Sequence, residues 1–200
     1  MKIIVIGATG TIGQAVVALL TPDHDIIKVG FRSGDFNVDL VSKASIRQLF
    51  QDVAGFDAVI SAAGLAKFGR LDDLSDEDYM LGLANKLMGQ VNLVRVGREY
   101  INDNGSFTLT SGVLSQSPMP GSSAISMVNA GIEGFVRAAA LETKRGIRVN
   151  AVSPIWVKET LETMGMDSSE GMPAELVALA YKESIEGQQS GKVLDVRDFA

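Results

Sequence analysis

The sequence contains no cysteine and only one histidine among its 200 residues. The absence of cysteine excludes disulfides, thiol nucleophiles and thiolate metal sites. The single histidine, His24, lies in a polar turn at residues 21–25 and is interpreted as a solvated turn residue. The sequence therefore predicts no metal site, and it argues against a Ser-His-Asp triad.

Clustered basic residues and long apolar runs are also missing. The formal net charge is −6, so the chain offers no basic surface to nucleic acid. The N-terminal apolar run covers only residues 3–6, which is too short for a secretion signal or a membrane span. No internal repeat or linker divides the sequence. We therefore expect one cytoplasmic domain over residues 1–200, with neither a nucleic-acid nor a membrane partner.

Apolar runs alternate with segments of helical periodicity. After residues 3–6, further runs recur at 26–29, 58–60, 107–109, 149–152 and 193–196. Between them, the periodicity predicts helices at 11–20, 43–52, 75–102, 122–145 and 173–186. This alternation predicts an α/β fold, in which helices cover both faces of a parallel sheet.

The helix predicted at 75–102 carries clear terminal signals. Ser75 can cap its N-terminus, and the acidic residues 76–78 favour the positive end of the helix dipole. The pair Asn104-Gly105 is predicted to stop this helix before the next strand.

The first apolar run leads into the segment GATGTIG, which a helical pattern follows. Three glycines at this spacing allow a tight turn, close approach of the backbone to a pyrophosphate, and close packing of helix against strand. The anion then lies at the free N–H groups of the helix. Glycine-rich turns also merely end strands, but the flanking strand and helix favour a nucleotide site. Its predicted contacts are Gly7, Thr9, Gly10, Thr11, Ile12 and Gly13.

Residues after the second apolar run bear on the choice of nucleotide. A dinucleotide without a 2′-phosphate is usually held by an acid near this point, whereas a phosphorylated one needs a cation. Arg32 and Ser33 therefore favour NADP. NAD is the less favoured alternative, because Asp35 lies nearby, and Arg32 can also be a solvated loop charge.

Several further motifs resemble the short-chain dehydrogenase/reductase family. The similar segments are Val38-Asp39-Leu40, Ser61-Ala62-Ala63-Gly64, Thr108-Leu109-Thr110-Ser111-Gly112 and Arg148-Val149-Asn150-Ala151-Val152-Ser153-Pro154. The resemblance implies a Rossmann-type, doubly wound parallel sheet of about seven strands with helices on both faces. It also implies that Asp39 meets the adenine. Further cofactor contacts are then expected from Leu40, Ala62, Ala63, Gly64 and Pro154.

The resemblance breaks where the family performs its chemistry. Members carry a Tyr that acts as acid and base and, four residues later, a Lys that holds the ribose, but this sequence has Ile125 and Asn129 there. Lys86 stands where the family has an Asn on another helix. We hypothesise that Lys86 restores the lost positive charge, either as a ribose ligand or, if desolvated, as a proton donor. The alternative is an exposed helix lysine whose stem covers apolar surface.

Ser111 directly follows the fifth apolar run and is the candidate to hydrogen-bond a substrate oxygen. It can equally be a turn serine that bonds local backbone. The register is uncertain by one residue, so that Gly112 can occupy the family's Ser position and Ser115 can matter instead. The predicted catalytic set is Ser111, Lys86 and Asn129.

These residues predict an NADP-dependent oxidoreductase that transfers a hydride between nicotinamide and a small carbonyl or hydroxyl substrate, with an altered active site. The alternative is an inactive NADP-binding sensor or regulatory protein. The resemblance also implies a homodimer or homotetramer paired through two long helices. An apolar stripe at residues 83, 87, 91 and 94 fits such pairing, although the same stripe can face only the sheet.

Overall fold

The computed structural model describes residues 1–199. Within them, seven strands form one sheet. The strands are β1 (Lys2–Ile6), β2 (Asp25–Gly30), β3 (Phe36–Asn37), β4 (Phe56–Ser61), β5 (Ile101–Thr110), β6 (Arg148–Ser153) and β7 (Val193–Asp195). Their order is β3-β2-β1-β4-β5-β6-β7, and every neighbouring pair is parallel. The strand order reverses between β1 and β4, which opens a crevice at the carboxyl ends of these strands.

Helices cover both faces of this sheet. They are α1 (Thr11–Leu20), α2 (Lys43–Val53), α3 (Asp76–Leu81), α4 (Met88–Gly97), α5 (Ser123–Glu142), α6 (Lys158–Thr163) and α7 (Ala174–Glu186). Helices α2, α4 and α5 pack on one face, and α1 and α7 pack on the other. The predicted Rossmann-type, doubly wound fold is confirmed.

The apolar run of β1 shows how the two layers form. Ile4 and Ile6 face the layer of α2, α4 and α5, whereas Ile3 and Val5 face α1 and α7. All four side chains are buried, because successive residues of a strand point to opposite faces and both faces of this sheet are covered.

The helix predicted at 75–102 is shorter and is interrupted. Its N-terminal cap is confirmed, since Ser75 Oγ accepts a hydrogen bond from Asp78 N and the Asp78 carboxylate accepts one from Ser75 N. The chain then forms α3, a π-helical segment at Gly82–Leu87, and α4, which ends at Gly97.

The C-terminal end of that prediction is wrong. Ile101 begins β5 and is buried opposite Phe56 of β4, so residues up to 102 cannot stay helical. Asn104 has a φ of 62° within β5, at an irregularity in the pairing of β5 with β4. Asn104 and Gly105 therefore shape a strand irregularity instead of stopping a helix.

Helix α5 is long and apolar enough, by length and composition, to cross a membrane. Its residues Ile132 and Val136 are fully buried in the layer that covers the sheet. The apolar character of α5 is therefore that of a helix inside the core of the fold.

The interpretation of His24 as solvated is also corrected. Its side chain is only 10% exposed, and Nε2 lies 3.1 Å from a carboxylate oxygen of Glu186 at the end of α7. The turn after α1 packs against α7, which the sequence pattern around His24 did not indicate.

Candidate functional site

The glycine turn joins β1 to α1 at the carboxyl edge of the sheet. Gly7 adopts a φ of 82°, a conformation that side chains disfavour. A Cβ on Gly13 would overlap the carbonyl oxygen of Gly7, so α1 can lie this close to β1 only with glycine there. The N-cap residue of α1 is Gly10, which has no side chain to accept hydrogen bonds from the first turn of the helix. The N–H groups of the first turn can therefore receive an anion.

A first pocket of about 440 Å³ opens beside this turn, at the ends of β1, β2 and β4. It brings together six of the predicted cofactor residues, namely Gly7, Thr9, Asp39, Leu40, Ala63 and Gly64. Its other lining residues are Ile6, Gly30, Phe31, Val38, Val41, Leu65 and Asn85. Apolar walls with a carboxylate at one edge fit an adenosine.

Arg32 and Ser33 lie beside the first pocket without lining it. Both are exposed, and the Arg32 guanidinium lies 5.6 Å from the ring centroid of Phe31, which does line the pocket. Asp35 is engaged elsewhere, because its carboxylate accepts a hydrogen bond of 2.8 Å from Lys28 N. Arg32 is thus the charged residue of this loop that lies next to the pocket wall.

A second pocket of about 250 Å³ lies at the ends of β5 and β6. It unites the predicted residues Ile12, Lys86, Ser111, Asn129 and Pro154. Its remaining lining residues are Thr110, Gly112, Val113, Leu114, Ile125, Ile155, Trp156, Val157 and Thr160. Of the predicted cofactor residues, Gly10, Thr11, Gly13 and Ala62 line neither pocket.

Lys86 projects from the π-helical segment between the two pockets. Its Nζ donates a hydrogen bond of 3.0 Å to the Ser111 carbonyl, and its stem packs so closely on Gly64 that a Cβ there would lie 2.7 Å from Lys86 Cγ. Burial lowers the pKa of the Lys86 amino group from 10.5 to about 8. Lys86 is half-buried, so the alternative interpretation as an exposed helix lysine is wrong.

Gln90 fixes the helix that carries Lys86. Its side chain is fully buried, donates to the carbonyls of Lys86 and Thr110, and accepts from Thr110 N. One amide thereby joins the start of α4 to the end of β5, so the Lys86 backbone is held against the edge from which Ser111 projects.

Asn129 on α5 faces the same pocket. Its Nδ2 donates to the Gly112 carbonyl over 3.3 Å. Its Oδ1 is buried and has no hydrogen-bond partner within residues 1–199. A buried acceptor without a partner is costly, and a ligand hydroxyl at this place would satisfy it.

The structure also distinguishes the serine alternatives. Ser111 lines the second pocket, and Ser115 does not. Both hydroxyls donate to Oε1 of Glu133, over 3.2 Å from Ser111 and 2.5 Å from Ser115. Glu133 is only 4% exposed, so a buried carboxylate lies directly behind Ser111.

No tyrosine lines either pocket in the described part of the chain. Tyr181 is fully buried on α7, where burial raises the pKa of its phenol and its hydroxyl contacts Thr110 Oγ1 over 2.6 Å. The Tyr79 hydroxyl contacts Ser123 Oγ, and Tyr100 stacks on Phe50. The hydroxyl groups of all three tyrosines are thus outside the pocket that holds Ser111.

Sequence reasoning missed two residues and one contact of the site. Asn85 directly precedes Lys86, and its side chain accepts a hydrogen bond from Leu65 N, which ties the π-helical segment to the loop after β4. Glu133 lies one helical turn after Asn129, and that spacing could have indicated it. Trp156 lines the second pocket and meets Phe68 edge to face at 6.4 Å. No periodic pattern points to this last contact, because it joins two irregular loops.

Comparison with known proteins agrees with this geometry. The profile of the enoyl-(acyl carrier protein) reductase family matches residues 7–190. The solved structure of the protein lin1944 from Listeria innocua is 38% identical, with a TM-score of 0.94 over 98% of this chain and 99% of that one. A small-chain dehydrogenase solved in complex with NADPH is 26% identical, with a TM-score of 0.87 over 98% and 95% of the two chains.

Among curated proteins, hydroxynaphthalene reductase arp2 of Aspergillus fumigatus is 28% identical over 138 residues, which make up 66% of this chain and 50% of that protein. The chain thus spans about half the length of this relative. The profile match, by contrast, extends from the glycine turn almost to β7. The chain therefore belongs to the short-chain dehydrogenase/reductase family.

Proposed function

We propose that this chain is an NADP(H)-dependent oxidoreductase that acts on a small carbonyl or hydroxyl compound, with Ile125 and Asn129 at the positions of the family's Tyr and Lys and with Lys86 restoring the lost positive charge. One observation carries the proposal. The two pockets adjoin where Gly64 packs against Lys86. We assign these two neighbouring pockets together as a cleft for a dinucleotide, with its reactive end beside Ser111.

Each part of the cleft suits one part of the cofactor. The first turn of α1 would receive the pyrophosphate, and the first pocket would enclose the adenosine, with Asp39 at its edge. Lys86 as a donor and Asn129 Oδ1 as an acceptor would hold the hydroxyls of the nicotinamide ribose. The bound nicotinamide supplies the hydride, whereas the protein supplies orientation and a proton path.

The proposed proton path starts from Lys86. At neutral pH the amino group is mostly protonated, because its pKa of about 8 lies above the solvent pH. Ile125 cannot transfer a proton, so the remaining sources are the Lys86 ammonium, a water held by Ser111 and Asn129, or the substrate itself.

The preference for NADP rests on Arg32. Asp35 is occupied by the backbone of β2, and a guanidinium beside the adenosine pocket can bind a 2′-phosphate through charge-assisted hydrogen bonds. The related small-chain dehydrogenase solved with NADPH supports the same preference.

A binding assay tests the proposal through nicotinamide fluorescence. We expect the protein to bind NADPH more tightly than NADH. Arg32→Ala should weaken NADPH binding by about tenfold and leave NADH binding unchanged, since only the phosphate loses its partner. Arg95→Ala removes another exposed arginine, which lies on α4 away from the cofactor pocket, and serves as the control. If neither nucleotide binds, the proposed cofactor role is wrong.

A second candidate function is an NADP-binding sensor without turnover. The absence of tyrosine among the described lining residues of the second pocket favours it. Incubation of the NADPH complex with quinones, aldehydes and ketones separates the two candidates. Consumption of NADPH supports the oxidoreductase, whereas binding without consumption across the panel favours the sensor.

A further inference from the structure

Glu133 is a buried carboxylate that reaches the second pocket only through Ser111. Its Oε1 accepts hydrogen bonds from Ser111 and Ser115, and its Oε2 accepts from Gln116 Nε2 over 3.5 Å and from Arg137 over 3.3 Å. A carboxylate can only accept, and two oxygens with four donors are fully satisfied. In the hydrogen bond between Ser111 Oγ and Glu133 Oε1, Ser111 is therefore the donor.

The Ser111 hydroxyl therefore directs its proton away from the second pocket. Its two acceptors within hydrogen-bond distance are Glu133 Oε1 and, over 3.4 Å, the Val152 carbonyl. Both lie inside the protein, and the charged carboxylate is the stronger of the two. Toward a ligand in the second pocket, Ser111 Oγ can therefore act only as a hydrogen-bond acceptor, through its lone pairs.

We propose that Glu133 is a positioning residue that makes Ser111 a hydrogen-bond acceptor, so that the second pocket selects a ligand hydroxyl over a carbonyl. The inference rests on the proposed function and narrows its substrate class to secondary alcohols with apolar rings or chains. An alcohol oxygen can accept from Lys86 while its proton goes to Ser111. A carbonyl oxygen would satisfy Lys86 but would face the lone pairs of Ser111.

The pocket walls fit such a ligand. Ile125, Ile155, Trp156 and Val113 surround the polar groups, and Lys86 is the one charged residue among the described lining residues. Cationic substrates would meet the like charge of Lys86 and would lose their hydration here without a partner.

The variant Glu133→Gln provides a sharp test because Arg137 has no acceptor atom. The oxygen of the introduced amide must face Arg137, so its NH₂ group faces Ser111 and Ser115. Ser111 would then accept from the amide and turn its proton into the pocket. The single substitution should therefore invert the preference of the site from hydroxyl to carbonyl.

The experiment titrates two probes of equal carbon number, 1-methylcyclohexanol and 2-methylcyclohexanone, into protein saturated with NADP⁺. The tertiary alcohol has no carbinol hydride, and the ketone meets an already oxidised cofactor, so neither probe reacts. Binding is read from the methyl NMR signals of Ile125 and Ile155. We expect the alcohol to bind about three- to tenfold more tightly than the ketone, the range of one hydrogen bond.

The variants sharpen this expectation. Ser111→Ala should bind both probes equally, and Glu133→Gln should favour the ketone. Glu142→Gln, an exposed site on the same helix, should retain the preference of the wild type. If Glu133→Gln does not fold, the comparison of wild type with Ser111→Ala still tests whether the lone pairs of Ser111 cause the preference for the alcohol.

The proposal is overturned if the wild type binds the ketone equally or more tightly, if it binds neither probe, or if a folded Glu133→Gln keeps the preference for the alcohol. Failure of the proposed function is seen separately. In that case NADP⁺ shifts no signals, and the two probes are then compared in cofactor-free protein.

Discussion

Lys86 combines a stem packed on the backbone of Gly64 with an amino group that makes its one protein hydrogen bond, within residues 1–199, to the Ser111 carbonyl. No carboxylate contributes to the shift of its pKa to about 8, whose cause is burial. The charge of Lys86 is thus poised to change near physiological pH and is available to a ligand.

This pKa predicts that NADP⁺ affinity falls as the pH rises through about 8. Only the ammonium form can make a charge-assisted hydrogen bond to the ribose, so the dissociation constant should rise by about tenfold between pH 7 and pH 9.5. In titrations across this range, the dissociation constant of Lys86→Met should not show this rise near pH 8. Lys144→Met, an exposed control, should show the same rise as the wild type. If the dissociation constant of Lys86→Met still rises near pH 8, a group other than Lys86 causes the pH dependence.

The same group predicts an opposite trend for the stability of the protein without cofactor. The unfolded chain holds the Lys86 proton up to the ordinary pKa of 10.5, whereas the folded protein releases it near 8. The unfolded state therefore binds more protons between these values, and the free energy of unfolding gains a contribution as the pH rises from about 8 to 10.5. Urea denaturation of wild type and Lys86→Met over this range isolates the contribution, which the variant should lack.

At the scale of elements, the π-helical segment Gly82–Leu87 places two consecutive side chains in the two pockets. Asn85 lines the first pocket and Lys86 the second. A π-helical turn inserted into a helix shifts the residues that follow it, and such turns recur at functional sites. The periodicity of residues 75–102 predicts a helix here but contains no signal for the insertion.

We expect the replacement of two helix glycines by alanine to change the free energy of unfolding in opposite directions. Gly13→Ala should destabilise the protein by about 3 kcal/mol, because its Cβ would push α1 away from Gly7. Gly134→Ala should stabilise it by about 0.5–1 kcal/mol, since Gly134 is exposed in α5 and a Cβ there meets no atom within 4 Å. Urea denaturation measures both. Equal effects would show that the close approach of α1 to β1 is not what requires glycine.

At the scale of the whole molecule, the apolar stripe of α4 and the preceding segment is largely used inside the chain. Val91 and Val94 are buried, and Leu87 packs against the core layer. Exposed apolar side chains remain nearby, among them Met88 on α4 and Met127 and Leu141 on α5. These residues, more than the stripe itself, offer a surface to a second copy of the chain.

We predict that the protein forms a homodimer or homotetramer through α4 and α5. Met88→Glu and Met127→Glu should raise the dissociation constant by at least about tenfold, because a buried unpaired carboxylate is costly. Leu71→Glu alters an apolar side chain outside these helices that is even more exposed than the two methionines, and it is the control. Sedimentation velocity measures the distribution of monomer and oligomer. A wild-type protein that stays monomeric at high concentration would contradict the prediction.

Much of the molecule follows from local sequence. The strand at 3–6, the turn from Gly7 to Gly13 and the cap at Ser75 each depend on neighbouring residues, and the structure has them as predicted. The order and spacing of the motifs were also sufficient to predict the fold class. Strands that alternate with helices along the chain form a parallel sheet with helices on both faces.

Other features depend on contacts between distant segments. Asn102 is in a strand because Ile101 meets Phe56, and His24 is covered because α7 packs over its turn. The sequence by itself determined the glycine turn between β1 and α1, and it led to the hypothesis that Ile125 and Asn129 stand at the positions of the family's Tyr and Lys. Only the tertiary structure decided that Lys86 is half-buried beside Ser111 and that the Ser111 hydroxyl donates to Glu133, because a pKa and a hydrogen-bond direction are set by groups that the chain brings together only when folded.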